Sequence, residues 1–310
     1  MSDAPAARSH GKVFDAIAAE YDANRPAYPA ELIEQAIEVA GLRAGDPVLE
    51  LGAGTGKLTR ALVAHVLRVT AVEPGENLIA VARESLRSDG SLRTDGSLGG
   101  SEVEFVQARL EDAELPADHF KAAFAAASFH WMDPDVSWRL VAAALTPGGT
   151  FGLIGHIDVA EPWSESDSVA LRAAIERVAP AWAALWPPHR SVDAIVEGVR
   201  ERAANISRAW DWLSAYDLAR DYAEALFEPA ELAAVPVRFE HTATEVNAVL
   251  ATMSFWASLT AAQREELEQA NERLYKRTGR PIRSSTLAVL VTARRRDVPR
   301  RYTPRRDAPL

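Results

Sequence analysis

The sequence predicts an α/β fold in which a largely parallel sheet carries helices on both faces. Short apolar runs alternate along the chain with amphipathic stretches of helix length, and a glycine-rich turn directly follows the first apolar run. This alternation is typical of parallel sheets joined by helical crossovers. Apolar residues make up 48% of the 310 residues, which is enough for a packed core and argues against intrinsic disorder.

The first elements are expected in the order helix, helix, strand. Apolar residues at helical spacing mark helices at 14–21 and 32–40. The prolines of segment 24–29 end the first helix, and Gly41 ends the second. The run 47–51 is short, apolar and followed by glycines, so it is predicted to be a buried strand.

The strand pattern then recurs along the rest of the chain. The further predicted strands are 68–72, 103–106, 122–127, 150–154, 236–241 and 286–291, and the helices between the earlier ones are 58–66, 78–86 and 136–145. A polar run with two Asp-Gly turns, 88–101, is interpreted as a loop insertion. Tryptophans become frequent after residue 158, which we interpret as a helical cap inserted before the last two strands.

These patterns divide the chain into five predicted parts. They are an N-terminal helical lid at 1–45, a ligand-binding core at 46–158, a Trp-rich cap at 159–234, the return of the core at 235–294 and a basic tail at 295–310. The tail is arginine-rich, and its prolines favour a solvated extension.

Composition excludes several classes of function. The chain has no cysteine, so disulfides, thiolate metal sites and cysteine nucleophiles are absent. A net charge of −10 argues against a nucleic-acid partner. No apolar run reaches the ~18 residues that a membrane span needs, and the N-terminus lacks the pattern of a secretory signal. We therefore expect a cytoplasmic protein with no membrane partner.

The glycine turn indicates the kind of ligand. Gly52, Gly54 and Gly56 lie between a strand and a helix, at the sheet edge where open α/β folds bind ligands. A dinucleotide site needs the spacing G-x-G-x-x-G, but Lys57 occupies the third glycine's place. A Walker loop needs Ser or Thr after the lysine, where Leu58 stands. Both phosphate-binding hypotheses are weakened, although a nicotinamide oxidoreductase stays open as an alternative.

Acidic residues at the ends of the next two strands favour a nucleoside. Glu73 ends the second strand, and Glu111 and Asp112 follow the third. A carboxylate at the first position can accept hydrogen bonds from ribose hydroxyls, as acids there do for nucleoside cofactors. An acid at the second position can accept one from an adenine amino group. The combination predicts an adenosine site.

Four segments together resemble the class I S-adenosylmethionine-dependent methyltransferases. They are 50–56, 72–74, 128–131 and 145–149. The opening motif at 14–29, F-D-x-x-A-x-x-Y-D-x-x-R-P-x-Y-P, is similar to the small-molecule branch that includes trans-aconitate methyltransferase-like enzymes. The resemblance covers roughly residues 12–156.

The resemblance implies a Rossmann-like seven-stranded sheet, ordered 3-2-1-4-5-7-6 with strand 7 antiparallel, that binds S-adenosylmethionine and releases S-adenosylhomocysteine. It assigns the three glycines to the methionine side of the cofactor, Glu50 to its ammonium group and Glu73 to the ribose. The N-terminal segment closes over the cofactor in similar enzymes, and Arg25 there could pair with the methionine carboxylate. The candidate cofactor residues are Tyr21, Arg25, Glu50, Gly52, Ala53, Gly54, Gly56, Glu73, Pro74, Leu78, Glu111, Asp112 and Ser128.

His130 is the candidate general base, because it follows the fourth strand and an ordinary imidazole pKa of about 6.5 suits proton abstraction. The Trp-rich cap suggests an apolar or aromatic acceptor. The candidate acceptor residues are Tyr28, Trp131, His156 and Trp163. Asp133 and Asp135 resemble part of a metal site, but the other ligands are missing, so no metal is expected.

The function predicted from the sequence is methyl transfer to an O, N or C atom of a small molecule, by a monomer or homodimer. Two alternatives share the cofactor site. One is carboxyl O-methylation of a small organic acid, which the opening motif favours, and the other is a non-catalytic protein that binds S-adenosylmethionine or S-adenosylhomocysteine. Methylation of nucleic acid is disfavoured by the acidic body of the chain.

Overall fold

The structure, a computed structural model, describes residues 13–88, 102–184, 188–210 and 216–297. A seven-stranded sheet lies at its centre, and the order 3-2-1-4-5-7-6 is confirmed. Strands β1 to β5 pair in parallel, whereas β7 is antiparallel to both of its neighbours, β5 and β6. The strands are β1 Pro47–Leu51, β2 Arg68–Val72, β3 Glu102–Val106, β4 Phe120–Ala126, β5 Leu145–Asp158, β6 Glu231–His241 and β7 Ile282–Arg294.

Helices flank the sheet. The longer helices are α3 Ala30–Val39, α4 Lys57–Ala64, α5 Glu76–Ser88, α6 Pro134–Ala144, α7 Glu165–Val178, α9 Val192–Glu201, α12 Ala243–Ala251 and α13 Ala261–Thr278. Short helices are α1 Val13–Ala16, α2 Ala18–Asn24, α8 Pro180–Ala183, α10 Ile206–Ala209 and α11 Ala223–Leu226. In the described part of the chain, every helix is too short or too polar to cross a lipid bilayer.

The sheet separates two layers of core, and alternation along β1 shows how. Val48 packs in one layer with Leu32 of α3 and Leu62 of α4. Leu49 and Leu51 pack in the other layer, which also contains buried side chains of α6 and β5. Because both faces of β1 are covered, its residues are apolar except Glu50. Glu50 is therefore a buried acid within an apolar strand.

The structure differs most from the sequence-based boundaries at the first helix and at strands β5, β6 and β7. Strand β7 runs from Ile282 to Arg294, beyond the predicted 286–291 at both ends. The helix predicted at 14–21 is interrupted at Ile17, whose backbone leaves the helical region, so α1 and α2 are separate. Strand β5 runs beyond the predicted 150–154, because its far half pairs with β7. Strand β6 begins at Glu231, inside the predicted cap. The loop insertion at 88–101 and the tail at 295–310 lie largely outside the described residues.

Helices α7, α12 and α13 form a roof over one end of the sheet. This roof comes from two parts of the chain rather than from the 159–234 segment alone. Helix α7 packs against α12 and α13 in a separate apolar cluster around Phe255. The buried Asp167 of α7 accepts hydrogen bonds from the Arg280 side chain and from the Arg283 amide. These contacts tie α7 to the start of β7, so the helices between β6 and β7 complete the roof.

A matched pair of glycine substitutions tests the packing of the sheet. In Gly152→Ala the new Cβ would lie 2.6 Å from the Phe124 ring, so we expect overpacking to lower the free energy of unfolding by about 1–3 kcal/mol. In Gly198→Ala, on α9, the nearest atom is 3.7 Å away, and we expect a stabilisation of up to about 1 kcal/mol. Urea unfolding measures both, and equal stabilities for the two variants would contradict the packing described.

Candidate functional site

The glycine loop follows a path that requires residues without a Cβ. Gly52, Gly54 and Gly56 all have φ between +55° and +78°. A Cβ on Gly52 would lie 2.5 Å from the Cβ of Ser128, and one on Gly56 would lie 2.9 Å from the Cβ of Ala82. Around Gly54 a Cβ would meet no atom within 4 Å. The loop is therefore packed against the protein at both ends and open at its centre.

Glu73 ties the loop to the end of β2. Its carboxylate accepts hydrogen bonds from the amides of Gly54 and Gly75, each at 2.9 Å. The side chain is only 5% exposed, and burial raises its pKa above the ordinary value although both amides favour the charged form. A carboxylate has about four lone-pair sites, so two amides leave capacity for the hydroxyls of a ligand.

Glu50 is a second buried acid next to the loop. Its Oε2 accepts a hydrogen bond of 2.7 Å from the Thr59 hydroxyl, and the residue is 1% exposed. Burial raises its pKa to about 8, the Thr59 hydrogen bond opposes this, and the charge of Glu73 adds to it. The carboxyl of Glu50 is therefore largely protonated at neutral pH, and a cation bound beside it would favour the charged form.

The residues after β3 and β4 are engaged with each other. Glu111 accepts a hydrogen bond of 2.7 Å from the Asp133 amide and forms an ion pair of 3.3 Å with Arg109. The hydroxyl of Ser128 donates to the carbonyl of Leu51. Asp112 is exposed and does not line the cavity that Glu111 lines. The structure thus brings Glu111, but not Asp112, to the site.

Two aspartates anchor the N-terminal helices over the loop, and the sequence analysis gave neither of them a role. Asp15 accepts hydrogen bonds from the backbone amides of Asn77 and Leu78 at the start of α5, at 2.8 and 3.1 Å. Asp22 lies 3.2 Å from the guanidinium of Arg60. The two aspartates are seven residues apart in the opening motif, a two-turn spacing that could have indicated a shared contact face.

One cavity of about 1490 Å³ joins the loop to the space beneath the roof. It is lined by most of the predicted residues, namely Tyr21, Arg25, Tyr28, Glu50, Gly52, Ala53, Gly54, Glu73, Pro74, Leu78, Glu111, Ser128, His130, Trp131 and His156. Gly56 and Asp112 are not part of the lining. Trp163 is also absent from it, and the guanidinium groups of Arg238 and Arg283 lie over its ring, 5.3 and 5.0 Å from the centroid.

The imidazoles of His130 and His156, which line this cavity, are less basic than the sequence suggested. Burial lowers the pKa of His130 to about 4, well below the ordinary value of 6.5, and its ring packs against Trp131 and Tyr216. Burial also lowers the pKa of His156 to about 4, with a contribution from Arg25. Both rings are neutral at physiological pH, so they are free to accept a proton but are weak bases.

Asp133, which had suggested part of a metal site, caps α6 by accepting a hydrogen bond from the amide of Asp135. Among the described residues, no three His, Asp or Glu side chains are grouped so as to hold a metal ion.

Residues 49–153 match the family of methyltransferase domains. This part of the chain is similar to a methyltransferase domain. S-adenosylmethionine is the cofactor that this similarity implies, and the open glycine loop beside two buried acids suits the nucleoside and the amino acid part of that molecule.

Two curated relatives are similar to part of this chain. A protein of Mycobacterium tuberculosis named as an uncharacterized methyltransferase is 36% identical over 143 residues, which cover 46% of this chain and 51% of the relative. A ubiquinone/menaquinone biosynthesis C-methyltransferase of Shewanella woodyi is 32% identical over 146 residues, covering 44% and 55%. The chain thus spans about half the length of the curated relatives it matches.

A solved structure has a similar fold. The structure of a candidate type II methyltransferase from Anaeromyxobacter dehalogenans is 23% identical and superposes with a TM-score of 0.54. The match covers 87% of this chain and 97% of that one. The likeness supports the arrangement of sheet and helices described above.

The raised pKa of Glu50 predicts a specific pH dependence of stability. Between about pH 4.5 and 8 the unfolded chain has lost this proton while the folded chain keeps it, so the free energy of unfolding falls as pH rises through that window. Glu50→Gln removes the titration but keeps an acceptor for Thr59. We expect the variant to gain stability relative to the wild type between pH 5 and pH 8, as measured by urea unfolding.

The exposed Glu38→Gln substitution on α3 is the matched control and should leave the pH dependence unchanged. Parallel pH profiles for the wild type and Glu50→Gln would show that Glu50 is charged in the folded chain.

Proposed function

We propose that this protein transfers the methyl group of S-adenosylmethionine to an oxygen, nitrogen or carbon atom of a small molecule with an apolar or aromatic body. The observation that carries the proposal is the single cavity, which has the glycine loop and Glu73 at one end and a mainly apolar space under the roof at the other. A nucleoside cofactor at the first end and an acceptor at the second would lie in one continuous space.

The cofactor supplies an activated methyl group on a sulfonium, and the chain's task is to align an acceptor with the S–CH₃ bond. At the cofactor end we assign Glu73 to the ribose hydroxyls, Glu111 to the adenine and Glu50 to the ammonium group. Arg25 is the sequence-based candidate for the methionine carboxylate, but its Nη2 donates a hydrogen bond to the Thr252 carbonyl at the end of α12, so we place it with the acceptor end.

The walls of the acceptor end support an apolar substrate. Tyr28 stacks on His156 with ring centroids 5.3 Å apart, and Trp131 packs edge-on against Tyr216. The roof adds aliphatic side chains from three helices, Leu171, Ile175, Val246, Val249, Leu250 and Leu267. A ligand that buries a large apolar area against these walls gains the most binding free energy.

One observation supports carboxyl O-methylation as a second candidate. The Nε of Arg25 is buried at the cavity and has no hydrogen-bond partner, so it could bind an acceptor carboxylate. A carboxylate attacks the sulfonium methyl without losing a proton and would need no base.

Binding of S-adenosylhomocysteine to Glu73 variants tests the cofactor end. Glu73→Ala removes the expected partner of the ribose hydroxyls, and we expect isothermal titration to show weakening by about 1–3 kcal/mol. Glu73→Gln keeps one acceptor oxygen for the Gly54 or Gly75 amide and should weaken binding less.

The exposed Glu34→Ala substitution on α3 is the control and should bind as the wild type does. Unchanged affinity in Glu73→Ala, with a normal melting temperature, would remove Glu73 from the cofactor site.

His130 is proposed as the group that accepts a proton when the acceptor has to lose one. With the acceptor found by screening against methyl-labelled cofactor, His130→Ala should lower turnover and leave the affinity for S-adenosylhomocysteine nearly unchanged. The exposed His65→Ala substitution at the end of α4 controls for loss of a histidine. Turnover that matches the wild type would exclude His130 from the mechanism.

A further inference from the structure

Three polar groups without a protein partner lie at the acceptor end of the cavity. The Nε of Arg25 and the Nε2 of His156 are buried and make no hydrogen bond. The carboxylate of Asp158 forms no hydrogen bond or ion pair with any residue in the described ranges, although it lines the same cavity. Because buried polar groups in proteins are nearly always hydrogen-bonded, the two buried groups indicate a ligand site, and the exposed Asp158 carboxylate lines the same cavity.

The strand register explains why these groups face the same space. His156 and Asp158 are two residues apart on β5, so their side chains emerge on the same face of the sheet. Thr286 pairs with Asp158 across the strands, and its hydroxyl lies 3.5 Å from the Nδ1 of His156. Arg25 approaches from the N-terminal segment, close enough for its charge to lower the pKa of both His156 and Asp158.

Asp158 is unusual among the acids of the cavity. The Asp158 side chain is exposed to the cavity, yet the surrounding protein raises its pKa above the ordinary value, with Arg25 and His189 opposing that rise. Glu73 and Glu111, in contrast, accept hydrogen bonds from backbone amides. Asp158 therefore has its full hydrogen-bonding capacity available to a ligand.

We propose that Asp158 and Arg25 bind a hydroxyl group of the methyl acceptor, so that the substrate is an apolar alcohol or phenol. This inference rests on the proposed function. A hydroxyl has one donor and two acceptor sites, so it can donate to the Asp158 carboxylate and accept from the Nε–H of Arg25.

Ligands of other charge fit this pair less well. A carboxylate would be repelled by Asp158, and an ammonium group would be repelled by Arg25. A hydrocarbon would leave both groups desolvated and unpaired, which costs free energy. A neutral hydroxyl satisfies both groups, while its apolar body meets the aliphatic roof.

Three probes with the same ring system separate these possibilities. They are 2-naphthol, 2-methylnaphthalene and naphthalene-2-carboxylate, and equilibrium dialysis at pH 7 in saturating S-adenosylhomocysteine measures their affinities without turnover. We expect 2-naphthol to bind the wild type roughly tenfold more tightly than 2-methylnaphthalene, because hydrogen bonds to charged groups contribute about 1.5–3 kcal/mol. The carboxylate should bind more weakly than 2-naphthol.

The Asp158→Asn variant keeps the shape of the side chain and removes its charge. Its affinity for 2-naphthol should fall about fivefold, since charge-assisted hydrogen bonds are roughly twice as strong as neutral ones. Its affinity for 2-methylnaphthalene should not change, which also shows that the cavity is intact, and naphthalene-2-carboxylate should bind more tightly. The control Asp193→Asn, at an exposed position on α9, should match the wild type with every probe.

Two results would overturn the inference. One is 2-naphthol binding to the wild type no more tightly than 2-methylnaphthalene, and the other is the carboxylate binding most tightly of the three, which would favour the carboxyl O-methylation alternative. A separate titration shows whether S-adenosylhomocysteine binds at all. If it does not, the proposed function fails, and dialysis of the three probes without it still tests Asp158.

Discussion

The absence of a Cβ at the glycine loop is the constraint on which the site depends. At Gly52 the backbone passes so close to Ser128 that the end of β1 and the end of β4 are held side by side. Glu73 then fixes the open centre of the loop through the Gly54 amide. Any side chain at Gly52 would push the two strand ends apart. The two ends of the cavity would then also move apart.

The edge of the sheet brings distant parts of the chain together so that they line one cavity. Helix α5 begins close to the loop, and Asp15 caps that helix, so the N-terminal segment is held above the cofactor end. Farther along the sheet, the extension of β5 brings His156 and Asp158 under the roof. The roof in turn is held to β7 by Asp167. Cofactor and acceptor regions are thus separate pieces of sequence that the sheet edge brings together.

Much of the fold could be predicted because its signals are local. Strands β1 to β4 are short apolar runs with turn residues at their ends, and the resemblance of their motifs to a known family supplied the strand order. The extension of β5 could not be predicted, because it depends on pairing with β7, more than a hundred residues away. The interruption at Ile17 likewise reflects the docking of α1 and α2, for which the local periodicity gives no indication.

Sequence motifs indicated several residues of the cavity lining. The sequence could not show which side chains are buried or how burial changes their pKa. Trp131 and Trp163 looked equivalent in the sequence, yet the first lines the cavity and the second contacts two arginines outside it. The low pKa of His130 comes from the protein around it, which composition cannot show. Asp158 was missed because it belongs to the part of β5 that only the tertiary pairing creates.

We propose that the glycine loop binds the adenosine and methionine parts of S-adenosylmethionine rather than a dinucleotide. Isothermal titration of the wild-type protein with S-adenosylhomocysteine and, separately, with NAD distinguishes the two ligands. We expect micromolar or tighter binding of S-adenosylhomocysteine and no binding of NAD. Binding of NAD, with none of S-adenosylhomocysteine, would contradict it and return the loop to a dinucleotide assignment.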